Sequence, residues 1–375
     1  MRLKIRENLL YLVLKIIKKF DKRQTDLKYF NPDEVKNILV VSSTAIGDTL
    51  MSTPAIRAVR QRYPHAKIIA HFNVKNMELF ENNPHIDGII PYYGGWKKFF
   101  KTIKEFRKHN FDVALILHGN EPQATPMAYL SGARFIVKVP MPKRFGFLVS
   151  NKSNGFENPW NHHGIDVRLK AASFIGCNNT NREMVLKVEE QDRARLLDLL
   201  KNFNIDLNKK LVGFQVGAAN KFKIWPAEKF IELGKRLIEY DENIFIIVLG
   251  SKNEKTLCDY VQNKIKHGVI SLAGILSLKE LRALIEKLQL LVTNDTGAMH
   301  IAVALKKKTL SLFCPTNFWG VGPVQDNHLH KIIVKDKPCN FCLTKKCKTP
   351  FCMDLIEVDE VFEAIKGILY EDSSL

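Results

Sequence analysis

No stretch of this chain reaches the roughly 18 consecutive apolar residues that a membrane-spanning helix needs, so insertion by spanning helices is not expected. Glycine-rich fingerprints are missing too. The loop after the first apolar strand holds a single glycine, Gly47. It matches neither the Gly-x-Gly-x-x-Gly pattern of dinucleotide sites nor a phosphate-binding P-loop, which argues against a nicotinamide enzyme or an ATPase. Histidines at H-x-x-x-H or H-E-x-x-H spacing are absent, and His118, His162 and His163 show no ligand pattern. Acidic residues run short: 39 Asp+Glu face 57 Lys+Arg, a net charge of +18. A surplus of that size points to a polyanionic partner, whether nucleic acid, an acidic membrane surface or a phosphorylated substrate. The aromatics, 10% of the chain, do not interleave with Lys/Arg in an RNA-binding signature, so no specific nucleic acid is expected. Neither an internal repeat nor a low-complexity tract stands out.

What is present is a chain of 375 residues, 46% of them hydrophobic, long enough for two cores rather than one. It opens MRLKIRENLLYLVLKIIKKFDKR. A secretory signal would carry a small-residue cleavage site after its apolar segment, and basic residues follow here instead. The segment reads as a basic amphipathic helix suited to an anionic membrane face. It reads equally as a helix packed on the domain with a solvated basic side.

From Asn37 onward, short apolar runs alternate with helical patterns. The runs are Asn37 to Val41, Lys67 to Phe72, Ile86 to Ile90 and Asp112 to Leu117. Helical patterns fall at Ala55 to Arg62 with Pro54 near the first turn, around Asn76 to Glu81, and at Trp96 to Lys108. Residues 140 to 161 are rich in Pro, Gly, Asn and Lys and read as a long loop. A charged helical run, Glu189 to Lys201, precedes a second alternating set: Leu211 to Val216, a helix opened by Pro226 at its N1 position, Ile244 to Leu249, Glu254 to Lys264, Leu278 to Leu288, Leu291 to Leu305, Thr309 to Phe313 and His330 to Val334. Alternation of this kind implies parallel sheets covered on both faces, with ligands at the carboxyl ends of the strands.

Three loops at those ends carry candidate chemistry. Gly47-Asp48 follows the first strand, where a carboxylate could take a proton from a hydroxyl or simply cap the next helix. In GAANKFKIWP, Lys221 and Lys223 are point charges for a phosphate or two solvated loop lysines. In LVTNDTGAMHIAVAL, Asn294-Asp295-Thr296-Gly297 joins a strand to a small-residue helix whose free N–H groups favour an anion such as a diphosphate. The local alternative is an N-cap at Asp295 or Thr296. His300, on that helix, has a buried core histidine as its default reading. Of seven cysteines, Cys339, Cys342, Cys347 and Cys352 form a C-x2-C-x4-C-x4-C cluster. A structural zinc site and reversible disulfides both fit it, and a reducing compartment would favour thiols or metal.

In combination and in this order, ILVVSSTAIGDTLMSTPAIRAVRQRYP, VGAANKFKIWPAEKF, LAGILSLKELRALI, TNDTGAMHIAVAL with LFCPTN, and PCNFC…FCMDLIEVDEVFEAI resemble glycosyltransferase family 9, the ADP-heptose:lipopolysaccharide heptosyltransferases. The resemblance implies an α/β GT-B architecture, two Rossmann-like doubly wound domains facing a central cleft. It implies an inverting, metal-independent transfer of a heptose or similar sugar from an ADP-sugar to a lipopolysaccharide core or related acidic glycolipid. No cofactor is required in that chemistry, and no Asp-x-Asp pair is present to hold a metal. Asp48 becomes the general base; Lys223, Asp295, Thr296 and Gly297 bind the donor; Gly47, Lys221 and His300 support the site. The expected division is an N-terminal helix over residues 1–30, an acceptor domain over 31–190, a linker helix over 191–206, a nucleotide-sugar domain with the cysteine cluster over 207–352, and a C-terminal helix and tail over 353–375. The expected location is cytoplasmic, peripheral on the inner face of the cytoplasmic membrane. Ala218-Ala219 departs from the family, whose members often carry hydroxyl residues there. A GT-B transferase or epimerase using another nucleotide sugar, and a non-enzymatic polyanion binder, are the competing readings.

Overall fold

The computed structural model describes residues 2–314, 316–336 and 352–370, which fall in two compact units, Met1–Val185 and Leu186–Leu375. In the first unit the order is α1 (Arg2–Phe20), β1 (Asn37–Ser42), α2 (Ile46–Leu50), α3 (Thr53–Arg62), β2 (Lys67–Asn73), β3 (Gly88–Tyr92), α4 (Phe99–Arg107), β4 (Val113–His118), α5 (Ala124–Leu130), β5 (Phe135–Lys138) and α6 (Gly164–Ser173). The strands pair in parallel in the order β3-β2-β1-β4-β5. Strands buried on both faces explain why β1 and β4 read as unbroken apolar runs. One face of this sheet is lined by alternate residues Leu39, Val41, Ile69, Ala114, Ile116 and Ile136, and is covered by α1 through Leu14, α4 through Phe99, Ile103 and Phe106, and α5 through Met127 and Ala128.

The second unit contains α7 (Glu190–Asn202), β6 (Lys210–Gln215), α8 (Ala227–Tyr240), β7 (Ile244–Leu249), α9 (Lys255–Ile265), β8 (Val269–Ser271), α10 (Leu278–Lys287), β9 (Leu290–Asn294), α11 (Gly297–Ala304), β10 (Thr309–Phe313), α12 (Phe318–Val321), β11 (His330–Val334) and α13 (Val358–Tyr370). Its strands are also all parallel, ordered β11-β10-β9-β6-β7-β8. Both sheets therefore carry the Rossmann strand order, reversing direction at β1/β4 and at β6/β9. Helix α8 packs Phe230, Leu233, Gly234 and Leu237, one stripe at helical spacing, onto this sheet. Trp225, fully buried, meets Phe230 edge-on with centroids 4.8 Å apart and donates from Nε1 to the Ile356 carbonyl at 3.0 Å.

Two local expectations are corrected. The helix around Asn76 to Glu81 is a single 3-10 turn, Met77–Phe80, with no side-chain cap. Pro226 sits one residue before α8, as its cap: extended backbone at ψ 139° keeps it outside the helix while its carbonyl accepts from Phe230 N at 3.2 Å. The long loop at residues 140 to 161 is irregular apart from two 3-10 turns, Gly146–Leu148 and Pro159–Asn161.

Helix α7 is tied to α10 by an ion pair between Asp192 and Arg282, whose side chains are only 4% and 1% exposed. Nε and Nη2 of Arg282 both reach Asp192 Oδ2, the former at 3.1 Å. A pair taken so far from water is strongly coupled, because removing one partner leaves the other charge buried. Arg282→Ala should therefore lower unfolding stability by about 3–5 kcal/mol. The double change Asp192→Leu, Arg282→Leu should cost clearly less, both read as urea midpoints at constant slope.

Candidate active site

At the carboxyl edge of the first sheet, the β1/β4 reversal places Thr44 and Asp48 beside His118, the last residue of β4. Thr44 Oγ1 donates to Asp48 Oδ2 at 2.9 Å and lies 2.7 Å from His118 Nδ1. A hydroxyl has one hydrogen, so with that hydrogen on Asp48 the ring must donate from Nδ1. A neutral His118 then turns a bare lone pair on Nε2 toward Asp48 Oδ1, 3.5 Å away. Two acceptors this close repel each other, so a proton donor approaching their shared edge would be favoured.

Neutrality of this imidazole has physical causes. Burial first, then the Arg168 guanidinium and the Lys138 ammonium, outweigh the attraction of Asp48 and push His118 down to about 4. Arg168, on α6, is 4% exposed. It donates from Nη2 to Asp48 Oδ1 at 3.1 Å, from Nε to Ser52 Oγ at 3.0 Å and from Nη1 to the Gly164 carbonyl at 2.7 Å. Ser52 Oγ in turn donates to the Asp48 backbone carbonyl at 2.9 Å. Lys138 at the end of β5 pairs with Glu121 and donates to the Gly119 carbonyl at 3.2 Å. Asp48 remains 27% exposed, so it is oriented by buried partners yet open to solvent.

In the second unit the β6/β9 reversal brings the GAANKFK loop beside the polar hinge after β9. Asn294, fully buried, accepts from Trp225 N at 3.0 Å and donates to the Gln215 and Val216 carbonyls at 3.2 and 3.1 Å. One amide thus fastens the ends of β6 and β9 to the segment after Lys223. Lys223, in the 3-10 turn Lys221–Lys223, pairs its Nζ with Asp295 Oδ2 at 2.5 Å. Thr296 is the N-cap residue of α11 but makes no side-chain cap; its Oγ1 lies 3.2 Å from Thr293 Oγ1. With Asp295 turned to a lysine and Thr296 to a threonine, no cap from Thr296 occupies this helix end among the described residues, and its positive dipole end lies beside Asp295 and Lys223. At Gly217 a Cβ would meet the Glu254 carboxylate at 2.2 Å, so a side chain there would require Glu254 to move away.

Residues 99–352, more than half of the chain, match the model of glycosyltransferase family 9 (heptosyltransferase). The chain belongs to glycosyltransferase family 9. It is 24% identical over 342 residues to lipooligosaccharide heptosyltransferase 2 of Campylobacter jejuni subsp. jejuni serotype O:6, covering 88% of this chain and 98% of that protein. Its fold is similar to that of the family 9 glycosyl transferase of Veillonella parvula, with a TM-score of 0.76 at 22% identity over 90% of this chain and 97% of the other. It is also similar to E. coli ADP-heptose lps heptosyltransferase II, with a TM-score of 0.75 at 21% identity over 90% of this chain and all of the other. The two parallel α/β units are those of a GT-B glycosyltransferase.

Within this family member, Gly47 and Asp48 lie together in α2, and Lys223, Asp295, Thr296 and Gly297 form one cluster in the second unit. Lys221 is exposed in the same turn, and His300 is buried in α11. Three partners of Asp48 carry no signal in the local sequence: Thr44, His118 and Arg168. Thr44 stands four residues before Asp48, but His118 and Arg168 arrive from β4 and α6, 70 and 120 positions along the chain. Cys339, Cys342 and Cys347 lie outside the described residues; Cys352 is buried in the second core with Met353 and Ile356. Among the described residues no group of three or more His, Cys, Asp or Glu is placed to hold a metal. Cys177 and Cys258 are core thiols, pushed up to about 12 chiefly by burial.

Because Arg168 is the strongest neighbouring charge depressing His118, Arg168→Met should raise the imidazole pKa from about 4 toward its ordinary value. Burial, the larger cause, remains in the variant, so the midpoint should rise only part of the way. NMR titration of the imidazole signals should record an upward shift; an unchanged midpoint would remove Arg168 as its cause.

Proposed function

We propose that the chain is an inverting, metal-independent heptosyltransferase, taking heptose or a similar sugar from an ADP-sugar to a hydroxyl of a lipopolysaccharide core or related acidic glycolipid. The observation that carries this reading is the Asp48 cluster, in which a partly exposed carboxylate is held by Arg168 and Thr44 beside a neutral His118. An acceptor hydroxyl reaching the exposed side of Asp48 would give its proton to the carboxylate while its oxygen attacks the anomeric carbon. The bond from that carbon to the diphosphate breaks on the opposite side, the electron pair leaves with ADP, and the configuration inverts. Arg168 and Thr44 hold the carboxylate in place, and His118 fixes the Thr44 hydroxyl on Asp48 by donating to it from Nδ1.

Negative charge grows on the diphosphate as it leaves. Lys223 and the first turn of α11 supply preorganised positive potential for it, and this is the reason to propose transfer without a metal. An ammonium has three N–H donors, so the pairing with Asp295 leaves capacity for phosphate oxygens. The backbone N–H groups of Thr296 and Gly297 complete the proposed cradle. ADP-heptose as donor and lipopolysaccharide as acceptor are supported by the relatives, whose names state them. The +18 charge suits an acidic glycolipid and the inner face of the cytoplasmic membrane as the place of reaction.

Asp48→Asn keeps the size and most of the hydrogen bonds of the side chain but cannot take up the proton. Its kcat with ADP-heptose and a lipid A-core acceptor should fall by about 10²–10⁴-fold with ADP binding retained. Wild-type turnover would remove Asp48 as the base. Lys223→Ala should weaken ADP binding by about 10-fold or more, measured by calorimetry, and unchanged affinity would exclude the lysine from the diphosphate site.

A further inference from the structure

Helix α1 has two apolar sides, and the protein covers only one. Leu14 is fully buried, and Tyr11 lies edge-on to Phe145 and Phe147 with centroids 5.9 and 5.6 Å apart. Glu7 pairs with Arg144 at 3.2 Å. Beyond the helix, Asp21 accepts from the Tyr129 hydroxyl at 2.8 Å and pairs with Arg23, which donates to the Ala133 carbonyl at 3.1 Å. The helix is thereby fixed in rotation on the first unit. At about 100° per residue, Ile5, Leu9, Leu12, Ile16 and Phe20 form a stripe turned away from this seam, widened by Val13 and Ile17. The side chains of that stripe are exposed, from 57% at Leu12 to 74% at Phe20. A row of this length left in water marks an interaction surface rather than scattered surface apolars.

The charges beside it say what the partner is. Lys15 and Lys19 border the stripe on one side and Arg6 on the other. Helix α4 packs into the same core cluster as Leu14, so it covers the same sheet face, and its outward residues are Phe100, 80% exposed, with Lys101 and Lys104, while Lys97 is exposed in the turn before it. An apolar stripe edged by basic side chains, on a face carrying a second basic helix with an exposed aromatic ring, complements an anionic lipid surface. With basic residues along its length α1 cannot cross a bilayer, and among the described residues no helix is long and apolar enough to do so. We infer that α1 lies in the plane of an anionic membrane, with Ile5, Leu9, Leu12, Ile16 and Phe20 inserted at the acyl boundary and the α4 lysines against the headgroups. This deepens the proposed function by assigning the surface that brings the enzyme to a lipid-linked acceptor, and it rests on that reading only for its setting.

The full-length chain is sedimented with phosphatidylglycerol-rich vesicles and, separately, with phosphatidylcholine vesicles. The wild type should bind the first, release at high salt, and bind the second weakly. Leu9→Glu with Ile16→Glu changes exposed side chains only and should keep the wild-type melting temperature while losing about tenfold or more in vesicle affinity. Lys15→Glu with Lys19→Glu should weaken binding and flatten its salt dependence. Failure of the wild type to bind anionic vesicles, or unaltered binding by the Leu9/Ile16 variant, overturns the inference. So does a wild-type dimer that this variant dissolves without any vesicle binding, which would assign the stripe to a second copy of the chain. Transfer to a detergent-soluble acceptor is measured in parallel: normal transfer with no vesicle binding rejects the membrane surface alone, and vesicle binding with no transfer rejects the chemistry alone.

Discussion

Everything at the two candidate clusters depends on the reversal of strand order in an all-parallel sheet. Parallel pairing obliges the chain to return through a crossover, so successive strands leave a sheet on one edge and the following helices begin there. Where the order turns back, between β1 and β4 and again between β6 and β9, neighbouring loops part and leave a crevice. Thr44, Asp48 and His118 stand at the first reversal. Gly217, Asn294 and the start of α11 stand at the second.

The same geometry is used for opposite charges. In the first unit a carboxylate is held by a guanidinium that is itself almost fully buried. The cost of taking Arg168 out of water is offset by Asp48, Ser52 and the Gly164 carbonyl, each positioned on a different donor nitrogen. Burial, and after it the same guanidinium, keep His118 neutral, so the imidazole faces Asp48 as an acceptor and not as a competing cation. In the second unit the focus is positive: Lys223 is steered by Asp295 toward the first turn of α11, while Asn294 holds the loop ends together. Asp295 therefore acts as a positioning group for the lysine, a role different from capping the helix.

The surface follows a related division. Helices α1, α4 and α5 all cover one sheet face, but only α5 is buried along most of its length. In α4 the apolar stripe is spent on the core and lysines face outward. In α1 a single seam through Leu14 suffices for attachment, which leaves the remaining apolar side chains in water.

The sequence alone was enough for nine of the eleven described strands, most of which are continuous apolar runs, and β10 appears at the expected residues, Thr309–Phe313; it missed β5 and β8, whose four and three residues are too short to stand out. It was enough, too, for the family, through an ordered set of motifs, and for placing Asp48, Lys223 and Asp295 just past the ends of strands. It could not distinguish a 3-10 turn from a helix at Met77–Phe80, where four residues carry too little periodicity. Only the tertiary structure showed that His118, a lone histidine by spacing, meets Asp48 through Thr44, and that Arg168 on a distant helix holds the carboxylate. Local sequence encodes which element forms and which face it buries. Which side chains meet at a crevice is decided by strand order, and strand order joins residues 120 positions apart whose types carry no trace of one another.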